Sequence, residues 1–401
     1  MLKGVRCRLK YRLFALALGN FAIGTEAFMI AGVLPELAEN LRVSLSTAGQ
    51  LVTVFSLAYA IGSPVVAMFT GRMERRKLLV GSLLLFALAN FVCGLSNHYG
   101  MLLLGRVIAA IGAGLFVPAA STTAADLVAP AHRGRALAIV LGGQTVALCL
   151  GVPLGTWIAY ALHWRTTFWM VGVLALIAAV LIRFRLPTVA STVPVTLRER
   201  FSSIKRPVIW TSLLSTVCWA TGAFAVYTYI ADVFGQLGAT PRIISFALLI
   251  WGVASLIGST LGGVASDRFG SARTIAVALT VLLAALTAFS LLISGQPSQP
   301  ALWIGCAAMA VWGVSAWSFG PAQQHRLIGL SGKASGIVVP LNPSATYLGS
   351  ALGAAIGGLF VAYGNVEGLG YFGGFCELSA LLWFAASRTR ERKLQAAEAV
   401  T

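Results

Sequence analysis

Charge is what this chain has least of. Of its 401 residues only 10% are Asp, Glu, Lys or Arg, and the 29 basic residues outnumber 12 acids. A water-soluble domain carries about a quarter charged residues, so a chain that is also 58% hydrophobic has to place most of its length in lipid. Histidine is nearly missing. His98, His132, His163 and His325 fall at span ends or in loops, with no H-E-x-x-H arrangement, so no zinc-enzyme constellation is present. There is no G-x-x-x-x-G-K-S/T phosphate loop, which argues against ATP-driven chemistry in this chain. The six cysteines (Cys7, Cys93, Cys149, Cys218, Cys306 and Cys376) show no metal-type spacing, and five sit inside apolar runs, as small packing residues do. Neither a metal nor a cofactor is expected, and the reading is not that of an enzyme. The net charge of +17 does not point to nucleic acid, because the basic residues lie in short loops between apolar runs, where they report topology.

What the chain does have is long apolar runs. The first, Leu13 to Leu34, can cross a bilayer core of about 30 Å at roughly 1.5 Å per residue. It carries one charge, Glu26. A carboxylate inside a membrane span is costly unless protonated, paired or facing a water-filled cavity, so Glu26 is a functional candidate; the alternative is a structural pair. Lys3, Arg6, Arg8, Lys10 and Arg12 precede this run as in a signal peptide, but its length and its acid mark an uncleaved first span.

Twelve runs follow one another: 13–34, 47–69, 78–95, 100–122, 136–160, 166–186, 208–230, 243–265, 274–294, 301–320, 334–362 and 369–386. With the N-terminus inside, 25 basic residues fall on the cytoplasmic side and only Arg42, Arg165 and Arg242 in outer loops, so both termini are expected in the cytoplasm. In that distribution Arg326 counts as a cytoplasmic loop residue. The basic, proline-bearing stretch 187–207 reads as a cytoplasmic linker between six-span halves, 1–186 and 208–401. The halves repeat: Gly71-Arg72 after the second run is matched by Asp267-Arg268 after the eighth, an offset of 196. An all-α membrane protein of two parallel six-helix repeats, with its site at mid-membrane between them, is an architecture of secondary transporters.

Several motifs make the chain resemble the major facilitator superfamily, and within it the twelve-span drug/proton antiporter branch. The stretch Gly24 to Pro35 is similar to the opening signature of bacterial drug, sugar and nucleoside exporters. The fourth run, LLLGRVIAAIGAG, resembles the family's arginine motif, whose arginine, here Arg106, is linked to proton coupling. Depth agrees independently. Glu26 and Arg106 each lie about 10–12 Å from the outer end of oppositely directed spans, so they can meet if the helices face each other. Gly143, Gly151, Pro153 and Gly155 resemble the antiporter motif, although Val152 splits its usual Gly-Pro pair. Gly151 and Gly155 form a small-xxx-small face for close helix approach, and Pro153 bends the span. A similar tract, Gly349, Gly353 and Gly357, reads as plain packing.

The loop after the second span resembles the superfamily's cytoplasmic latch imperfectly. Its second copy, Gly263 to Gly270 with Asp267 and Arg268, is good; the first, with Arg72, Glu74, Arg75 and Arg76, has Gly71 where the family's acid would be. Glu74 is the only nearby substitute, so a weak first-copy latch is expected.

The resemblance implies a proton-coupled exporter of small, lipophilic compounds such as antibiotics, acting as a monomer in a bacterial inner membrane. Sugars, nucleosides or amino acids are the alternative cargo, and a non-transporting membrane sensor is the reading from another class. Glu26 is the first proton site and Glu377 in the last run the second. Asp126 and Asp232 read as helix-end charges. Candidate cavity residues are Phe21, Phe28, Trp219, Phe224, Tyr227, Trp312, Trp317, Asn342 and Tyr347, because a cavity for lipophilic compounds needs aromatic faces and a few polar groups.

Overall fold

The structure is a computed structural model of the whole chain, and it describes residues 2–70, 73–129, 132–188, 207–295, 297–331, 338–339 and 341–398. Backbone polar groups in lipid must find partners within their own segment, which leaves helices as the way for such apolar runs to cross. Among the described residues, twelve helices are long and apolar enough to do so.

The chain divides into two compact units, Met1–Pro194 and Val195–Thr401. The first holds α1 (Leu2–Leu41), α2 (Leu45–Thr70), α3 (Arg75–Gly94) and α4 (Tyr99–Asp126), then α5 (Arg133–Val146), α6 (Val152–Ala161) and α7 (Trp164–Arg185). Helices α5 and α6 are one span interrupted by a π turn, Ala147–Gly151. Pro153 lies just beyond that turn and has no N–H to give, and the Val152 amide reaches back five residues to the Ala147 carbonyl. The second unit holds α8 (Pro207–Thr228), the short α9 (Ile230–Gln236), α10 (Pro241–Phe269), α11 (Ser271–Ile293), α12 (Gln299–Ser331), α13 (Leu341–Ala362) and α14 (Gly368–Glu398).

The units repeat in their helix pairing. In the first, α1 packs on α5–α6 and α7, α2 on α4, and α3 on α4 and α7. In the second, α8 packs on α13 and α14, α10 on α12, and α11 on α12 and α14. Counted by span, the two patterns are the same.

The glycine motifs make these contacts possible. A side chain at Gly143 would strike the Ala17 carbonyl and one at Gly151 the Thr25 hydroxyl, while Gly155 faces Met29, so the fifth span lies directly on α1. Gly349, Gly353 and Gly357 bring α13 equally close to α8 at Val217, Thr221 and Ala225. Gly270, at φ +83°, is the joint that reverses the chain from α10 into α11.

Helices run past the apolar runs at several ends. α12 continues to Ser331, and Arg326 lies within it, only 4% exposed, rather than in the loop expected from its charge. Hydropathy marks a charge as a boundary, but Arg326 has three acceptors on two other helices, Ser212 of α8 and Ser387 and Glu391 of α14, that make its burial tolerable. Of the expected linker 187–207, residues 189–206 lie outside the described ones, as does Arg72 of the first latch copy. Asp126 ends α4. Asp232 opens α9, where an acid suits the helix dipole; partial burial raises its pKa above the ordinary carboxylate value.

Candidate functional site

Glu26 and Arg106 are both fully buried and form an ion pair between Oε1 and Nη1. Three helices build this site. α1 supplies the acid and α4 the arginine, while α2 supplies the Leu51 carbonyl, which accepts from Arg106 Nε at 3.3 Å. α2 also supplies Phe55, whose ring centroid lies 4.1 Å from the guanidinium carbon. The position of Arg106 follows from the glycines beside it in sequence. Gly105 has no room for a side chain against Cys93, Gly112 none against the Ser82 carbonyl, and Gly114 little against Ser63, so α4 seats tightly on α3 and α2. Glu26 Oε2 and Arg106 Nη2 have no hydrogen-bond partner among the described residues. The pair is therefore held by one direct contact.

α1 is fixed by polar ties that the sequence did not announce. Asn20 Nδ2 donates to the Val140 carbonyl at 2.8 Å, and Tyr160 Oη donates to the Gly32 carbonyl at 3.1 Å. Glu36 Oε1 accepts the Trp164 amide at 3.1 Å, satisfying a first-turn N–H of α7. At the same end, His163 Nδ1 accepts from the Arg165 amide at 3.2 Å, and its Nε2 lies 3.2 Å from both Asn40 Oδ1 and Arg165 Nη1. Phe21 is half-buried and Phe28 buried on α1.

In the second unit Glu377 of α14 is fully buried, and neither carboxylate oxygen has a hydrogen-bond partner among the described residues. Its Oε1 faces Gly222 of α8, where an added Cβ would sit 3.1 Å away. No ion pair reaches it among the described residues.

The aromatic candidates gather in two groups. Phe224, Tyr227, Trp312 and Trp317 belong to one cluster joined by Trp251, a residue the sequence reading did not single out. Tyr227 and Trp317 lie 4.6 and 6.2 Å from Trp251, and Trp312 lies 6.1 Å from it. Tyr227 and Trp312 are buried within this cluster, while Phe224 and Trp317 are half-buried. Trp219 stands apart, stacked on Phe319 at 4.7 Å. Tyr347 is half-buried on α13. Asn342 belongs to a polar network: its Oδ1 accepts from Thr216 Oγ1 at 2.9 Å, and Gln323 Nε2 donates to Thr216 Oγ1 and to the Ser212 carbonyl. Arg326 extends this network, donating to Ser387 Oγ at 3.0 Å and Glu391 Oε2 at 3.1 Å.

In the latch region Glu74 stands at the N-cap position of α3 without a side-chain cap bond and faces Arg76 at 3.5 Å and Lys77 at 3.9 Å, so its charge is engaged by the first turn of that helix. Arg75 is half-buried beside them. In the second copy Gly263 has no atom within 4 Å of an added Cβ. Asp267 and Arg268 are exposed, with no ion pair among the described residues.

A helical membrane protein of two repeated six-helix units, with a buried acid–arginine pair in the first, has the form of a secondary transporter. The sequence profile of the Major Facilitator Superfamily matches residues 16–339, and the chain belongs to that family. It is 34% identical to the MFS-type transporter YbcL of Bacillus subtilis, over 93% of this chain and 94% of that one. It is 31% identical to the inner membrane transport protein YdhP of Escherichia coli K12, over 91% of each. A chloramphenicol resistance protein of Streptomyces lividans shares 36% identity over 70% of this chain and 72% of its own. The fold is that of a bacterial homologue of the human lysosomal transporter Spinster, crystallised inward-facing and unoccupied, with TM-score 0.75, 20% identity and coverage of 96% and 98%. The chain is thus a multi-pass membrane transporter of small molecules, and not an enzyme.

Proposed function

We propose that this transporter is a proton-coupled antiporter that exports small lipophilic compounds, antibiotics among them, from the bacterial cytoplasm by alternating access. The observation that carries the reading is the fully buried Glu26–Arg106 pair. An ion pair in a membrane span has value while both members are charged; neutralising one leaves the other buried and uncompensated. Protonation of Glu26 therefore loosens its hold on Arg106, and coupling that change to alternating access converts it into transport. Glu377 is the second proton group in this proposal. The half-buried aromatics Phe21, Trp219, Phe224, Trp317 and Tyr347, with Asn342, are the surfaces offered to an apolar compound with few polar groups. Both termini face the cytoplasm of a bacterial inner membrane, and one chain is the working unit. The relative named for chloramphenicol resistance supports a lipophilic antibiotic as the first cargo to test.

The test is uptake of chloramphenicol and a panel of lipophilic compounds into inverted membrane vesicles under an imposed pH gradient. The wild-type protein accumulates cargo against its gradient. Glu26→Gln keeps size and hydrogen-bonding but cannot titrate; it inserts normally and loses gradient-driven accumulation. Glu26→Asp retains part of the coupling with a displaced pH optimum. Full gradient-driven uptake by the Gln variant would remove Glu26 from the mechanism and turn attention to Glu377. No uptake of any panel member by wild type would overturn the choice of cargo.

A further inference from the structure

The second unit carries a groove of about 520 Å³ between α10, α11 and α12, and none of its lining residues belongs to the proposed transport site. Its walls are Leu261 and Phe269 of α10, Val277 and Val281 of α11, and Val311 of α12, all exposed. Its floor is small because Gly262 lies against the Ser318 backbone, with no room for a side chain, and Ala278 sits opposite. The hydroxyls that line it are already committed. Ser318 donates to Gly258 and Val314 carbonyls, Ser315 to Val311 and Trp312, and Thr274 to Gly270. A polar ligand lying along this floor would find its donors engaged, whereas a hydrocarbon chain loses nothing there.

One end of the groove differs. Arg273 lies in the first turn of α11, four and eight residues before Val277 and Val281 and therefore on the same helix face. Along the helix axis Arg273 and Val281 are about 12 Å apart. Arg273 and the neighbouring Arg268 are exposed, and neither makes an ion pair among the described residues. Asp267, next to Arg268, is the only acid from 260 to 280, so this stretch carries two positive charges against one negative.

We infer that this groove is a binding site for an anionic phospholipid: an acyl chain lies between α10, α11 and α12, and the phosphate is held at Arg273. The charge at one end and the apolar walls below match the two parts of that molecule. A neutral occupant, or a helix from a second copy, would leave both arginines without a partner. The site is independent of the direction of transport and of the coupling ion.

The experiment uses the full chain in lipid nanodiscs with a trace of photoactivatable phosphatidylglycerol or phosphatidylcholine carrying a diazirine on the acyl chain, and maps the adducts by peptide mass spectrometry. Phosphatidylglycerol adducts concentrate on Leu261, Val277 and Val311, exceeding phosphatidylcholine there by about fivefold, the preference that one basic side chain gives near an anionic surface. Arg273→Gln, an exposed substitution, brings the two lipids to parity at those positions, and Arg273→Lys keeps the preference. Val277→Trp fills the groove and removes adducts of both lipids from Leu261 and Val311. Parity in the wild-type protein, an unchanged preference in Arg273→Gln, or adducts spread evenly over the lipid-facing surface would overturn the inference.

Discussion

The two units bury one carboxylate each at the heart of a span and surround it in opposite ways. In the first, Glu26 of α1 meets Arg106 of α4, and the arginine is further held by the Leu51 carbonyl and the Phe55 ring. In the second, Glu377 of α14 meets Gly222 of α8 and no cation among the described residues. The buried cation of the second unit, Arg326, spends its charge elsewhere, on Ser387 and on Glu391 near the end of α14. One pattern of helix pairing thus supports two different electrostatic solutions. The comparison teaches that the repeat fixes where helices touch but not what their side chains do there. A paired acid depends on its partner, whereas an acid with none depends on not being charged.

The widest separation between the units should appear in stability. Arg106→Ala leaves Glu26 buried without its counter-ion and is expected to cost about 3–5 kcal/mol, read as a lower thermal midpoint of purified protein. The double variant Glu26→Gln/Arg106→Gln should recover a good part of that loss. Glu377→Gln removes no ion pair and should leave the midpoint unchanged or raised. A drop with Glu377→Gln as large as that with Arg106→Ala would break the comparison.

Helix approach should respond alike in both units. Gly151→Val on the fifth span and Gly353→Val on α13 each force a side chain into the neighbouring helix, at a cost of about 1–3 kcal/mol. Membrane yield and thermal midpoint check both. A tolerant Gly353 beside an intolerant Gly151 would show that the fifth span alone is under close-packing constraint.

A smaller effect is expected where the second unit places its own ion pair. Glu391→Gln should cost about 1 kcal/mol or less, because Glu391 is 29% exposed while Arg326 keeps Ser387 and Ser212. The same measurement on Arg326→Ala should give a larger loss, since that guanidinium is buried.

The smallest effect concerns His163, half-buried at the α6–α7 turn. Partial burial, with Arg165 beside it, lowers its pKa below the ordinary imidazole value. The unfolded chain then binds the proton more readily than the folded one. Stability should therefore rise slightly with pH across the window below the ordinary value and be flat above it. His163→Asn should flatten that slope in thermal midpoints measured between about pH 5.5 and 7.5.

Much of this could be seen in the residues alone. The span count follows from apolar runs of bilayer length, and the pairing of Glu26 with Arg106 from their equal depth on oppositely directed helices. The reason is that lipid removes most options: a charge in a span has few places to go, so its depth predicts its partner. The Gly-rich faces were legible for the same reason, since only backbone contact needs a run of glycines. Asn20, Glu36 and Trp251 were not legible. Each works through a partner more than twenty residues away in sequence, and nothing in its own neighbourhood marks it.

The sequence by itself determined that this chain is a twelve-span membrane protein of two repeated halves, because hydropathy, length and the basic residues of its loops are local properties that the bilayer reads directly. Only the tertiary structure decided which buried charges are compensated. Arg326 looks like a loop residue until Ser212, Ser387 and Glu391 are seen around it, and Glu377 looks like Glu26 until α8 presents a glycine to it. Compensation is a matter of a few ångströms between residues distant in the chain, and those distances exist only once the helices have packed.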